Sequence, residues 1–147
     1  AWAFDCWHGL GTVGLAWVYD QRTDIIPTGT DREAMQAYIF RHQDPATGTY
    51  VGKPGGIEVW PIPLTLKPVP LNIRVIPDTA AIRSAVTLSL QALFRSVSPG
   101  DTLKLSAIRT AIGSSTGVTD YDLDLTTSQA SENYELLTLG AITWLIV

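Results

Sequence analysis

The chain has 147 residues, which is enough for one compact domain with a substantial core. Hydrophobic residues make up 46% and charged residues only 16%, against roughly 25% charged in most soluble domains, so we expect a partner to cover part of the apolar surface. With a net charge of -4, the sequence indicates no basic surface, which disfavours binding to nucleic acid or to an anionic membrane. The single cysteine, Cys6, excludes an internal disulfide.

The stretch "HGLGTVGLAWV" places glycines at 9, 11 and 14, the G-x-G-x-x-G spacing of dinucleotide-binding loops. That chemistry needs a strand before the glycines and a helix after them, whose N-terminus faces the phosphates. We see no clear strand before Gly9, and the residues from Thr12 to Tyr19 are typical of a strand rather than a helix. The pattern therefore predicts a turn and a closely packed strand, without a dinucleotide site.

The first helix is predicted in "TDREAMQAYIFRHQ", where Thr30 and Glu33 have the spacing of a capping box. We expect it to run from about Asp31 to His42. Its inner face is predicted to carry Ala34, Tyr38 and Ile39. The stretch "DPATGTYVGKPGG" that follows is rich in proline and glycine and indicates a loop.

The segment "IEVWPIPLTLKPVPLNIRVIP" predicts a strand, a kink and a second strand, with Pro68 and Pro70 near an edge or a bulge. A helix capped by Asp78 or Thr79 follows. Its buried face is predicted from helical spacing to contain Ile82, Val86, Leu90, Leu93, Phe94 and Val97. A short helix from about Ser106 to Gly113 should bury Ile108 and Ile112.

Two strands, "VTDYDLDLT" and "YELLTLGAITWLIV", close the chain. Asp120, Asp122 and Asp124 match the start of a calcium loop, but such a loop needs glycine at position 6 and glutamate at position 12, where this chain has Leu125 and Ser131. The alternation predicts a half-buried strand with its aspartates in solvent. A weak cation site is the alternative.

If its side chains alternate strictly, the last strand is apolar on both faces, so both faces must be shielded from solvent. One face would carry Leu139, Ala141, Leu145 and Val147, and the other Ile142, Trp144 and Ile146. We predict a contact with a partner through Trp144, Ile142, Ile146 and Leu139. The alternative is that a helix of the same chain covers Trp144. The apolar run is shorter than the ~20 residues of a membrane helix.

Cys6 and His8 are potential metal ligands, and His42 is the other histidine. A structural zinc site needs four such ligands, and a nucleophilic cysteine needs an orienting group and an oxyanion pocket that nothing here specifies. Phosphate-binding, serine-hydrolase and zinc-protease motifs are absent from the sequence. We therefore predict no catalytic residue, no metal ligand and no cofactor.

In their order and spacing, "GLGTVGLAWV", "VWPIPLTLKPVPLNIRVIPDTAAIRSAV", "SPGDTLKLSAIRTAI", "GVTDYDL" and "LGAITW" resemble the C-terminal part of baseplate J-like proteins of Mu-type contractile tails. The resemblance covers nearly the whole chain. It implies a non-catalytic structural component of the baseplate wedge of a phage or prophage, located in the virion tail baseplate and assembled in the cytoplasm of the bacterial host. It also implies binding to other tail baseplate proteins and self-association, with a homo-oligomer expected.

Residues 1–147 are predicted to form a single domain of the C-terminal type, without the N-terminal portion that longer family members have. The predicted fold is α+β: a small mixed β-sheet with two longer helices and one short helix packed on it. The alternative is a small-ligand-binding or enzymatic α+β domain, in which the acidic strand face lies near a tryptophan-containing pocket.

Overall fold

A computed structural model describes residues 1–146. It has an α+β fold with three helices, as predicted, but its strands form several small sheets rather than one. The chain divides into two compact units, Ala1–Leu64 and a second beginning at Thr65, where the sequence suggested a single domain. The division follows Pro61 and Pro63, residues that have no N–H group to continue a strand ladder.

The first unit contains a three-stranded sheet, one helix and a small hairpin. In chain order its elements are β1 (Trp2–Asp5), β2 (Thr12–Ala16), α1 (Gly29–Ile39), β3 (His42–Gln43), β4 (Tyr50–Val51) and β5 (Glu58–Pro61). β2 lies between β1, to which it is antiparallel, and β5, to which it is parallel. β3 and β4 pair as an antiparallel hairpin. β4 lies in the stretch predicted to be a loop, whereas β3 lies just before it, where the first helix was predicted to end.

Helix α1 begins two residues earlier than predicted. Its capping box is formed by Thr28 and Asp31, because the Thr28 hydroxyl accepts from the Asp31 N–H and the Asp31 carboxylate accepts from the Thr28 N–H. Arg22 also donates to the Asp31 carboxylate at 2.8 Å, and this hydrogen bond, together with those from Thr28, lowers the pKa of Asp31. The predicted pair of Thr30 and Glu33 was wrong.

The predicted end and inner face of α1 also need correction. Phe40 leaves the helical conformation with φ −58° and ψ 144°, so the helix ends at Ile39 and His42 belongs to β3. Ala34 and Tyr38 are exposed, while Ile39 is half-buried. The helix has no fully buried residue, so its sequence provides little periodicity from which to predict the inner face.

The second unit contains a three-stranded sheet, two helices and a two-stranded sheet. Its elements are β6 (Thr65–Ile76), α2 (Ala80–Arg95), β7 (Thr102–Leu103), α3 (Leu105–Gly113), β8 (Asp120–Leu123), β9 (Gln129–Ala130) and β10 (Glu135–Trp144). β6 lies in the middle of the main sheet, parallel to β10 and antiparallel to β8. β7 and β9 pair separately.

The core of the second unit lies between β6 and the two helices. Every second residue of β6 from Val69 to Val75 is buried, as a half-buried strand requires. The helices contribute Ile82, Val86, Leu90 and Phe94 from α2, and Ile108 and Ile112 from α3. The predicted faces of α2 and α3 are confirmed, except that Leu93 is only half-buried and Val97, although buried, lies after the end of α2. Thr79 is the cap of α2, accepting from the Ile82 N–H.

The prolines of β6 occupy places where a missing N–H is tolerated. Pro68 and Pro70 lie in the part of β6 that pairs with β10 on one side only, because β8 pairs with Ile73–Ile76 alone. Pro70 also lies opposite a register shift in β10. The prediction of an edge or bulge is confirmed.

This register shift is a β-bulge at Gly140. Leu139 pairs with Val69 and Ile142 pairs with Leu71, so β10 has one residue more than β6 in this interval. A Cβ atom on Gly140 would lie 2.9 Å from the backbone carbon and oxygen of Val69. Only glycine allows the two backbones to approach so closely.

The bulge changes which side chains share a face of β10. Leu139, Ile142 and Trp144 all pack against the core, because the extra residue reverses the alternation. The prediction that Leu139 faces away from the other two was wrong, since strict alternation cannot anticipate a bulge. After the strand, Leu145 is 40% and Ile146 is 88% exposed. Val147, assigned to the same face as Leu139, lies outside the described residues.

Candidate functional site

The three glycines of the G-x-G-x-x-G pattern lie in and after a hairpin turn. Gly9 and Gly11 have φ of 110° and 84° in the turn between β1 and β2, and the Cys6 N–H donates to the Thr12 carbonyl at 2.9 Å. A strand, β1, does precede the glycines, contrary to our prediction. The element that follows is the antiparallel strand β2, as predicted, rather than a helix whose N-terminus could face a pyrophosphate.

We accordingly expect neither NAD nor NADP to bind. Isothermal titration calorimetry should give a flat titration, because hairpin geometry leaves no array of helix N–H groups to bind the pyrophosphate. Saturable binding by the parent chain that disappears in Gly11→Val would contradict this result. A circular-dichroism spectrum of the variant would control for misfolding, since Gly11 has a positive φ that valine adopts poorly.

The acidic strand β8 has the two-sided character predicted for it. Asp120, Asp122 and Asp124 are exposed, while Tyr121, Leu123 and Leu125 pack against the core. The carboxylates already have partners: Arg74 forms an ion pair with Asp122, and the Asn72 amide donates to Asp124 at 3.4 Å. Among residues 1–146, no group of three or more His, Cys, Asp or Glu side chains is placed to hold a metal ion.

Replacing Asp122 by asparagine should change the free energy of unfolding by less than about 0.5 kcal/mol, because the ion pair with Arg74 is exposed to solvent. Thermal unfolding with and without calcium is the measurement, and we expect the melting temperature to be insensitive to the ion. A calcium-dependent rise that is absent from Asp122→Asn would instead show the weak cation site.

The two histidines and the cysteine are not arranged for catalysis. The His8 ring contacts two tryptophans edge-on, with ring centroids 5.6 Å from that of Trp7 and 5.2 Å from that of Trp60. Cys6 is exposed on the same turn. The His42 Nδ1 is 2.8 Å from the Phe40 carbonyl oxygen, a local contact near the end of α1. The ring contacts of His8 are thus with aromatic side chains, whereas a cysteine–histidine nucleophile pair would need an acid or amide that orients the histidine.

Sequence reasoning missed an aromatic and cationic surface around the β3–β4 hairpin. Lys53 Nζ lies 5.1 Å from the centre of the Phe40 ring, and the Arg41 guanidinium lies 4.9 Å from that of Tyr50. Beside it is an open depression lined by Tyr38, Ile39, His42, Val51, Gly52 and Lys53. The signal was the concentration of aromatic and basic residues between positions 38 and 53, in a stretch predicted partly as helix and partly as loop.

The geometry of the second unit also bears on the alternative pocket hypothesis. Trp144 lies on the face of the sheet that packs against the helices, with the Arg83 guanidinium 5.4 Å from its ring. The aspartates of β8 occupy the opposite, exposed face. Trp144 and the acidic face therefore do not line one pocket.

Two family models match the chain in succession. The baseplate J-like central domain matches residues 1–63, and the baseplate J-like protein C-terminal domain matches residues 69–145. The chain belongs to the baseplate J-like family. The interval between the two matches contains the boundary between the two compact units, so each unit corresponds to one family domain.

Relatives of the baseplate J-like chain come from a phage, a prophage and a bacterium. It is 42% identical to the baseplate protein gp47 of Escherichia phage Mu over 147 residues, covering 99% of this chain and 41% of the relative. Identity to the Mu-like prophage FluMu protein gp47 of Haemophilus influenzae is 35%, with the same coverage. The putative protein JayE of Escherichia coli is 31% identical, with 98% of this chain and 52% of the relative covered.

The chain thus spans about two fifths to one half of the length of these relatives. In residues 1–146, no helix combines the length and apolar character needed to cross a membrane.

Proposed function

We propose that this chain is a structural, non-catalytic module of a contractile-tail baseplate, encoded by a phage or a prophage. The observation that carries the proposal is the match of both compact units, in order, to consecutive domains of one family. The similarity to a protein named as a baseplate component of phage Mu extends over nearly the whole chain and supports the same role.

A non-catalytic role is consistent with the chemistry of the candidate residues. The carboxylates of β8 are exposed, and Asp122 is paired with Arg74. Catalytic carboxylates are more often partly buried, with pKa values displaced toward the operating pH. Dose-dependent thermal stabilisation of the chain by a nucleotide, a sugar or a divalent metal would favour the alternative of a ligand-binding or enzymatic domain.

We place the chain in the tail baseplate of the virion, with assembly in the host cytoplasm, and propose that it binds other baseplate proteins and copies of itself. The contact proposed is the C-terminal strand with Leu139, Ile142, Trp144 and Ile146. Ile146 is the most exposed of the four, and the other three are half-buried at the side of the sheet where β10 lies. An exposed apolar side chain beside a strand edge is suited to burial against a partner.

Fractionation of phage particles tests the proposal. An epitope tag is added to the protein in its native gene, tail particles are separated on a density gradient, and the tag is detected in each fraction. We expect the tag to co-sediment with tails and deletion of the segment to abolish complete tails in electron micrographs. A cytoplasmic protein carrying the same tag is the control. Complete tails after deletion, or a tag that stays at the top of the gradient, would refute the baseplate role.

A further inference from the structure

The two edges of the main sheet in the second unit differ in charge. The edge strand β8 exposes Asp120 and Asp122, and the exposed Asp124 follows it directly. Like charges on an edge oppose pairing with an identical strand. The other edge strand, β10, has no charged residue after Glu135. One edge of the sheet is therefore protected by charge and the other is not.

The backbone of β10 is hydrogen-bonded on one side only. Within residues 1–146, the backbone groups of residues 136–144 pair with β6 and with no other element. At the start of the strand, the Gly100 N–H donates to the Glu135 carbonyl at 3.2 Å and so covers that end of the edge. The free part of the edge therefore begins after Glu135 and includes the segment beyond the bulge.

The direction of the free groups follows from one hydrogen bond. The Leu145 N–H donates to the Ile73 carbonyl at 2.9 Å, so the backbone of Leu145 faces β6. Because backbone groups alternate in direction along a strand, those of Trp144 and Ile142 face away from β6. Their side chains pack on the core, so the part of these two residues left for a partner is the backbone edge.

We propose that β10 pairs antiparallel, edge to edge, with β10 of a second copy of this chain. An antiparallel edge is its own complement, because its N–H and C=O groups meet the same pattern after a two-fold rotation. The absence of charge removes the repulsion that identical strands otherwise meet, and it leaves no charge pattern that would select a foreign strand. Pairing would also bring the exposed Leu145 and Ile146 against the partner.

This inference rests on the proposed function as an assembly module and specifies how its copies meet. It differs from packing of an apolar face, because the side chains of Leu139, Ile142 and Trp144 stay on their own core. Amide hydrogen exchange separates the two modes. Edge pairing should slow exchange at the Ile142 and Trp144 amides as the protein concentration rises, whereas packing of side chains alone would leave these amides exchanging as before.

Charge variants on the exposed face of β10 provide the main test. Ala141→Lys with Thr143→Lys, and Ala141→Glu with Thr143→Glu, place like charges on each strand without replacing a core side chain. In sedimentation equilibrium of the whole chain, each double variant should raise the dimer dissociation constant by about tenfold or more. An equimolar mixture of the two should form a heterodimer in native mass spectrometry, because opposite charges then face each other.

The matched control is Ser84→Lys with Leu88→Lys, which adds two charges to the exposed face of α2 and should leave dimerisation unchanged. Circular dichroism verifies that every variant is folded. A parent chain that stays monomeric at high concentration, or a dimer indifferent to the β10 charges, would overturn the proposal. Co-sedimentation of a monomeric chain with tails would still support the baseplate role, so the two failures are distinguishable.

Discussion

The Leu90→Ala variant should lose about 2–5 kcal/mol of unfolding free energy, the usual range for deleting a buried leucine side chain. Leu90 is fully buried in α2 and belongs to the cluster that joins the helices to β6. The substitution removes apolar contacts and leaves a cavity that rigid neighbours on the sheet fill only in part. Urea unfolding followed by far-ultraviolet circular dichroism measures the loss.

Leu88→Ala is the control, since Leu88 lies on the same helix, two residues away, and is 62% exposed. The same truncation there should change stability by less than about 0.5 kcal/mol. Similar losses for the two variants would contradict the orientation of α2, because the face with Leu90 packs in the core and the face with Leu88 lies in solvent.

Gly140→Ala is expected to destabilise the second unit by about 1–3 kcal/mol, because the added carbon overlaps backbone atoms that cannot rotate away. The overlap is with the carbonyl group of Val69, so β10 must separate from β6 or lose its bulge. Either change also moves Ile142 and Trp144 from the core. Urea unfolding and amide exchange along β10 report the effect.

Gly29→Ala serves as the comparison for this variant. Gly29 is the first residue of α1, and a Cβ atom there would meet no atom within 4 Å. Alanine also has the higher helix propensity, so we expect a neutral or slightly stabilising effect. A Gly140→Ala chain as stable as the parent, with the same exchange along β10, would show that the bulge tolerates a side chain.

Elements with strong periodicity could be predicted from the sequence. The buried face of α2 repeats from Ile82 to Phe94 at helical spacing, and β8 alternates apolar residues with aspartates. Each pattern reflects one buried face and one solvent face, so local sequence carries the information. Helix α1 has no fully buried residue, and two overlapping capping signals, at Thr28 and Thr30, compete in its sequence.

The features that could not be predicted depend on contacts between distant residues. The bulge at Gly140 is set by its approach to Val69, and a single sequence does not show which strand will lie beside β10. The side of β10 left free is likewise a property of strand order. The candidate contact at Leu139, Ile142, Trp144 and Ile146 therefore came from hydropathy alone, and the backbone edge became visible only with the fold.

Because β6 pairs with β10, the main sheet of the second unit can be completed only after β10 has been synthesised. Thr65 pairs with Glu135, so the middle strand of the sheet leaves the ribosome long before its parallel neighbour does. Pairing two strands so far apart in the chain has a large loop-closure entropy cost, which slows folding. Helices α2 and α3 are synthesised after β6 and before β10, and they can cover the buried face of β6 while its edge is still unpaired. The first unit ends at Leu64 and has all its strands by then, so a nascent chain can complete that unit first.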